Sequence, residues 1–179
     1  MIYIALLRGI NVGGNNKVDM KQLKATFEQT GMKSVTTYIN SGNVVFADDS
    51  HEPAILVTIL ENTVEQTFGF AVKVLLRDVN NLKSVIEALP STWQNDDTMK
   101  CDVMFLWEDV DSPEVLEGLS IKPAIDEVKY VPGAILWRVD RDKITRSGMM
   151  KLVGTKLYKQ MTIRNCNTVR KLLQLALTQ

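Results

Sequence analysis

The stretch VTTYINSGNVVFA, residues 35–47, decides the fold because it predicts two strands joined by a tight turn. Its two β-branched runs flank Asn40-Ser41-Gly42-Asn43, whose side chains are typical of hairpin turns. A helix is predicted on each side of this hairpin, one with Asp19 as its N-cap and one that begins at Pro53. Apolar strands are predicted outside the helices, at Ile2–Arg8 and Ala71–Arg77. The resulting order is β-α-β-β-α-β, the split β-α-β or ferredoxin-like arrangement.

The second half of the chain repeats this order with weaker signals. A polar linker over residues 91–100 precedes a predicted strand at Cys101–Glu108. Ser112 and Pro113 predict the start of a short helix. Two further strands are predicted around Pro132-Gly133, a dipeptide typical of a type II turn. A helical stripe of Met150, Val153 and Leu157, a strand at Met161–Arg164 and a last helix follow.

The two halves together predict an α+β fold of two ferredoxin-like units, a duplication, with an additional C-terminal helix. We expect residues 1–95 to form an N-terminal ferredoxin-like unit with a linker helix. Residues 96–179 are expected to form a C-terminal α/β unit with a basic end.

Composition excludes several classes of protein. The chain of 179 residues is 45% hydrophobic and 23% charged, which is typical of a soluble globular protein. The apolar run Met1–Leu7 is far shorter than the roughly 20 residues of a membrane-spanning helix. One histidine and two cysteines are too few for a His-rich metal cluster or a disulfide framework. We therefore expect a cytoplasmic protein with no metal and no cofactor.

Charge is balanced over the whole chain but unevenly distributed along it. Residues 91–137 carry three basic and ten acidic side chains, whereas residues 138–179 carry ten basic and two acidic ones. Such asymmetry favours an anionic partner for the C-terminal part, either nucleic acid or a small molecule. The alternative interpretation is that the acidic and basic stretches face each other within the fold.

A glycine-rich segment, RGINVGGNNK at residues 8–17, lies between the first strand and the first helix. Glycines allow backbone amides to approach a ligand, and the following helix start adds positive potential. The segment does not match the phosphate-binding loop of nucleotide-binding proteins, because Asn15-Asn16 stands where Lys-Ser or Lys-Thr is required. The alternative is a tight strand-to-helix connection without a ligand. The candidate ligand-binding residues of the glycine-rich segment are Arg8, Gly9, Asn11, Gly13, Gly14 and Lys17.

The hairpin turn supplies a second candidate segment. Ser41, Gly42 and Asn43 could contact a ligand, although a turn that only shapes the hairpin is the favoured interpretation. A serine nucleophile is disfavoured, because a strand follows Ser41 rather than a helix.

Two arginines that precede predicted helices, Arg146 and Arg164, belong to the third group of candidate residues. Arginine beside a helix start suits a carboxylate or a phosphate, and Ser147 and either Asn167 or Thr168 are predicted as N-caps. Cys166 stands where a helix dipole could lower a thiol pKa, but no base is identifiable near it, so a reactive thiol is disfavoured. The candidate ligand-binding residues of this group are Arg146, Ser147, Arg164, Asn165 and Thr168.

The opening motif ALLRGINVGG, residues 5–14, resembles the bacterial family of domains of unknown function numbered 1697. The same family is also matched by Thr37-Tyr38, the segment 41–44, Phe46 and several positions between 162 and 172. The resemblance covers nearly the whole chain and implies a bacterial α/β protein built from ferredoxin-like units. It implies no activity, and its motif positions come without assigned roles. Where similar proteins usually have tryptophan between two asparagines, this chain has Cys166.

The leading functional hypothesis is binding of an anionic ligand, a phosphorylated small molecule or nucleic acid. The alternatives are a small enzyme acting on a phosphate- or carboxylate-bearing substrate, and a protein-interaction module. Because loops at strand ends can gather at one edge of an α/β fold, we predict that one concave surface has Arg146 near its rim and is surrounded by Arg8, Asn11, Ser41, Asn43, Arg164 and Asn165. No membrane contact is expected, and no oligomeric state is predicted.

Overall fold

The computed structural model describes all residues, Met1–Gln179. The chain forms two four-stranded antiparallel sheets with several helices, including one near the C-terminus. It divides into two compact units, one of Met1–Asn80 with Leu172–Gln179 and one of Asn81–Lys171. The sequence division at residue 95 stays a prediction.

Unit 1 is built from the order of elements that the sequence predicts. The strands and helices are β1 (Ile2–Arg8), α1 (Met20–Gln29), β2 (Lys33–Tyr38), β3 (Asn43–Ala47), α2 (Pro53–Phe68) and β4 (Lys73–Asp78). The sheet order is β2-β3-β1-β4, and every neighbouring pair is antiparallel. The predicted caps are confirmed: the Asp19 side chain accepts a hydrogen bond from the Gln22 amide, and Gly69 ends α2 with a φ of 80°.

The core of unit 1 lies between its sheet and its two helices. Leu23 and Phe27 of α1 and Leu60 of α2 pack with alternate residues of the strands, such as Leu7 and Phe46. Phe27 and Phe46 meet edge to face with ring centroids 5.7 Å apart, a favoured aromatic geometry. This packing fixes the ends of β1 and β2, from which the candidate loops emerge.

Unit 2 has a sheet of the same connectivity but different intervening segments. Its main elements are α3 (Val79–Ala88, which begins in unit 1), β5 (Met99–Leu106), β6 (Asp126–Val131), β7 (Ala134–Asp140), β8 (Met161–Asn165) and α4 (Cys166–Ala176, which ends in unit 1). The sheet order is β6-β7-β5-β8, again antiparallel throughout. Its core includes Met104, Trp137 and Leu152.

Two segments of unit 2 that were predicted as helices form 3-10 helices rather than α-helices. The segment after Ser112 is a 3-10 helix, Pro113–Gly118, and the stripe of Met150, Val153 and Leu157 falls in two 3-10 helices, Gly148–Gly154 and Leu157–Gln160. Met150 and Val153 are 59% and 67% exposed, whereas Met149 and Leu152 are buried. Residues three positions apart lie on the same face of a 3-10 helix. Met150 and Val153 therefore share the exposed face, whereas Met149 and Leu152 share the face that packs into the core.

Candidate functional site

The glycine loop folds into a miniature hairpin before α1. Val12 and Asn15 form a bridge around Gly13 and Gly14, whose φ values are 60° and 78°. Two consecutive residues with positive φ define a two-residue turn that glycine adopts without strain. The Asn11 amide donates to the Asn16 carbonyl oxygen at 3.0 Å, which closes the base of this turn. The loop is therefore an ordered projection rather than a simple connection.

Asn11 joins this loop to the hairpin turn between β2 and β3. Its Nδ2 donates to the carbonyl oxygens of Val18 at 3.0 Å and of Asn40 at 2.8 Å. Its Oδ1 accepts a hydrogen bond from the Val18 amide at 2.8 Å. The residue has a φ of 54°, a conformation that asparagine tolerates better than most residues. The structure thus brings together two of the predicted segments, residues 8–17 and 41–43.

The turn itself is packed closely against β1. Asn43 is buried, and its Nδ2 donates to the Tyr38 carbonyl oxygen at 3.0 Å and to Ser41 Oγ at 2.9 Å. Gly42 has a φ of 79°, and a Cβ there would lie 2.8 Å from Leu7 Cβ. These contacts give Gly42 and Asn43 a role in shaping the turn.

An open concavity of about 430 Å³ lies where the loop, the turn and the start of α1 meet. The predicted residues Asn11, Gly14 and Lys17 line it, together with Asn40 and the first residues of α1. Asp19 also lines it, and its carboxylate already caps the Gln22 amide at 2.8 Å. Asn40 is a lining residue that the sequence did not single out, although it belongs to the same turn as Ser41.

In unit 2, Ser147 belongs to a buried hydrogen-bond network. Its hydroxyl donates to Asp126 Oδ1 and accepts a hydrogen bond from the Met149 amide at 3.0 Å, which confirms Ser147 as an N-cap. The other carboxylate oxygen of Asp126 accepts from the amides of Lys122 and Gly148, each at 2.9 Å. Burial alone would raise the pKa of Asp126, but these hydrogen bonds hold that pKa below its ordinary value. Asp126 is a structural partner of Ser147 that no sequence pattern indicated.

Arg146 and Arg164 lie in different environments within unit 2. Arg146 is exposed at the end of the 3-10 helix Arg141–Arg146. Arg164 is buried in β8, where Nη1 donates to Thr162 Oγ1 at 3.1 Å and to the Ile163 carbonyl oxygen at 2.8 Å. Burial lowers the pKa of Arg164 to about 10, so its guanidinium group remains charged at neutral pH.

The N-cap of the last helix differs from the prediction. Because α4 begins at Cys166, Asn167 and Thr168 lie inside its first turn. Asn165 Oδ1 accepts a hydrogen bond from the Thr168 amide at 2.9 Å, which is the geometry of an N-cap. The prediction of Asn167 or Thr168 as the cap was therefore wrong by two or three residues.

The fourteen predicted ligand-binding residues divide between the two units. Those at positions 8–43 belong to unit 1 and those at positions 146–168 to unit 2, and their convergence on one surface stays a prediction. No group of three or more His, Cys, Asp or Glu side chains is placed to hold a metal ion. No helix has both the length and the apolar character needed to cross a membrane.

The fold and the loop geometry define a two-unit protein of mixed α/β class with an ordered glycine loop. The chain belongs to the family described as Protein of unknown function (DUF1697), whose model matches residues 1–137, which confirms the resemblance seen in the opening motif. It is similar in structure to the conserved bacterial protein SP0830 from Streptococcus pneumoniae. The two share 31% sequence identity and a TM-score of 0.83 over 98% of each chain. The search of curated proteins found no match.

Proposed function

We propose that the concavity of unit 1 binds a small anionic molecule that carries a phosphate or carboxylate group. The observation that carries this proposal is the meeting of Lys17, the exposed Gly14 and the start of α1 around a volume of about 430 Å³. An ammonium group and backbone amides are the donors that such anions prefer.

Preorganisation of the loop supports this assignment. Three hydrogen bonds made by the Asn11 side chain hold the glycine loop against Val18 and Asn40. A ligand that binds to a loop already ordered in this way loses less conformational entropy on binding. Asp19 opposes an anion close to the helix end, so the proposal depends mainly on Lys17 and the loop amides.

Replacement of Lys17 tests the proposal. Inorganic phosphate, pyrophosphate and citrate are titrated into the full chain by calorimetry, and the purified protein is examined for retained ligands by mass spectrometry. We expect Lys17→Gln to weaken binding of the preferred anion about tenfold or more, because a hydrogen bond to a charged group contributes roughly 1.5–3 kcal/mol.

Lys21→Gln is the matched control, since Lys21 is an exposed residue of α1 that does not line the concavity. It removes the same charge and should change the affinity by no more than about twofold, because exposed charges at a distance are screened by salt. Equal effects of the two substitutions, or no anion binding at millimolar concentration, would contradict the proposal.

A protein-interaction module is the second candidate, favoured by exposed apolar residues at the same edge. Val12 is 67% exposed and Ile39 is 49% exposed, each beside one partner of the Asn11–Asn40 hydrogen bond. Ile39 has a φ of 49°, an uncommon conformation for a β-branched residue, and such strain is concentrated at functional sites.

We also propose that the two units are copies of one ferredoxin-like arrangement. The support is that β2-β3-β1-β4 and β6-β7-β5-β8 are the same strand order counted from the first strand of each unit. In the second copy 3-10 helices take the places of both α-helices.

A further inference from the structure

Two buried cysteines of unit 2 adjoin the end of a strand pair. The antiparallel pairing of β5 with β8 ends where Asp102 faces Asn165, and Cys101 precedes Asp102 while Cys166 follows Asn165. Facing residues of antiparallel strands have Cα atoms about 4.5–5.5 Å apart, and we expect a similar separation for the two cysteines beside this facing pair. A disulfide bond requires Cα atoms about 4.4–6.8 Å apart.

The two thiols influence each other's protonation. Both cysteines are fully buried and reduced. The interaction between the two side chains is the largest cause that raises the pKa of Cys101 and lowers the pKa of Cys166. The pair is therefore asymmetric, with Cys166 as the sulfur that more readily becomes a thiolate.

A cation adds to this asymmetry. Arg170 lies one turn further along α4, and its Nη1 is 3.6 Å from Cys166 Sγ. Its positive charge also lowers the pKa of Cys166, against the opposing effect of burial. Cys166 is the first residue of α4, where the helix dipole further favours a thiolate.

The segment 90–95 covers the pair and is held by a few hydrogen bonds. The Cys166 thiol is 3.7 Å from the Trp93 carbonyl oxygen, and Arg170 Nη2 donates to the Pro90 carbonyl oxygen at 3.1 Å. Asn95 contacts both sides of the pair: its carbonyl oxygen accepts from Asn167 Nδ2 at 2.8 Å, and its Oδ1 accepts from the Cys101 amide at 3.3 Å. Opening of this segment would expose Cys166 without unfolding the sheet, because the segment contributes no strand.

We propose that Cys101 and Cys166 form a dithiol site that hydrogen peroxide oxidises to an intramolecular disulfide, with Cys166 reacting first. The Cys166 thiolate attacks one peroxide oxygen, the O–O bond breaks, and sulfenic acid and hydroxide form, the latter taking up a proton to give water. The Cys101 sulfur then attacks the sulfenic sulfur, loses its own proton and releases hydroxide, which that proton converts to a second water. Two thiols are thereby oxidised and one peroxide is reduced to two waters.

The test treats the full chain with hydrogen peroxide, blocks remaining thiols with iodoacetamide and maps the peptides without reduction. We expect a disulfide between Cys101 and Cys166 that dithiothreitol reverses. In Cys101→Ser the reaction should stop at sulfenic acid on Cys166, which dimedone traps, whereas Cys101 in Cys166→Ser should remain a thiol. Circular dichroism verifies that both variants are folded. A folded protein whose thiols resist peroxide, while the unfolded chain forms the disulfide, would overturn the proposal.

Two arginine substitutions separate chemical activation from simple access. Arg170→Gln removes the charge beside the sulfur and also the hydrogen bond to the Pro90 carbonyl oxygen. We expect oxidation to slow about tenfold although the covering segment is held less tightly, since an opposite charge shifts a pKa by one unit or more. Arg141→Gln is the control, because Arg141 donates to the Asp96 carbonyl oxygen and to Asn95 Oδ1, within or beside the covering segment, and has no contact with either sulfur. It should leave the rate unchanged or increase it. Equal slowing by both substitutions would contradict an activating role of Arg170.

Discussion

Gly148 is a residue of unit 2 at which no side chain fits. A Cβ at this position would lie 1.7 Å from the Ser120 carbonyl oxygen and 3.2 Å from Asp126 Oδ2. We expect Gly148→Ala to lower the free energy of unfolding by about 3 kcal/mol or more, since the clash is with backbone that cannot rotate away. Urea denaturation followed by circular dichroism measures this change as a lower midpoint.

Gly154 provides the comparison within the same 3-10 helix. No atom lies within 4 Å of a Cβ built there, so Gly154→Ala should change the free energy of unfolding by about 1 kcal/mol at most, in the stabilising direction. A similar loss of stability for the two variants would show that the close approach of Ser120 is not what constrains Gly148.

At the scale of elements, Asp126 connects the start of β6 to the 3-10 helix Gly148–Gly154. Hydrogen bonds from Ser147 and two backbone amides overcome the effect of burial and hold the pKa of Asp126 below its ordinary value. The ionised carboxylate therefore stabilises the fold at a pH above the unfolded pKa of about 3.9. This stabilisation is lost as the pH falls through the lower pKa of the folded state.

Asp126→Asn should accordingly destabilise the protein at pH 7, and the difference from the wild type should narrow below about pH 3.9. Thermal unfolding at a series of pH values measures both effects. Asp142→Asn removes an exposed carboxylate of the 3-10 helix Arg141–Arg146 and should have little effect at either pH. If the stability difference between Asp126→Asn and the wild type does not change with pH, the ionised Asp126 carboxylate is not what stabilises the fold.

At the scale of the whole molecule, the charge asymmetry of the sequence is nearly cancelled within unit 2. This unit has fourteen basic and thirteen acidic side chains, and unit 1 has seven and eight. Arg138 of the basic stretch pairs with Glu127 of the acidic one, with Nη1 and Oε1 2.9 Å apart. This ion pair favours the interpretation in which the two stretches face each other.

We therefore expect little binding to nucleic acid. Fluorescence anisotropy with mixed-sequence single and double strands at about 50 mM salt should show no saturable binding, because unit 2 carries almost as many acidic side chains, which repel phosphate groups, as basic ones. Tight binding that weakens steeply towards about 200 mM salt would show instead that the basic stretch contacts a phosphate backbone.

Most element boundaries could be predicted because their signals are local. Asp19, Gly31, Pro53 and Gly69 limit helices through their own backbone preferences, whatever surrounds them. The 3-10 helices could not be distinguished from α-helices, because Met150 and Val153 fit both periods and only packing decided which neighbours were buried.

The same distinction between local signals and tertiary packing applies to the candidate sites. The sequence by itself determined the family, the order of strands and helices in unit 1, and the glycine loop, because these depend on residues close together in the chain. Only the tertiary structure decided that Asn11 holds Asn40, that Asp126 accepts from Ser147 and that Cys101 and Cys166 adjoin the same pair of facing strand residues. These partners are separated by 21 to 65 positions along the chain, and strand register and sheet order bring them together, which no local pattern of residues encodes.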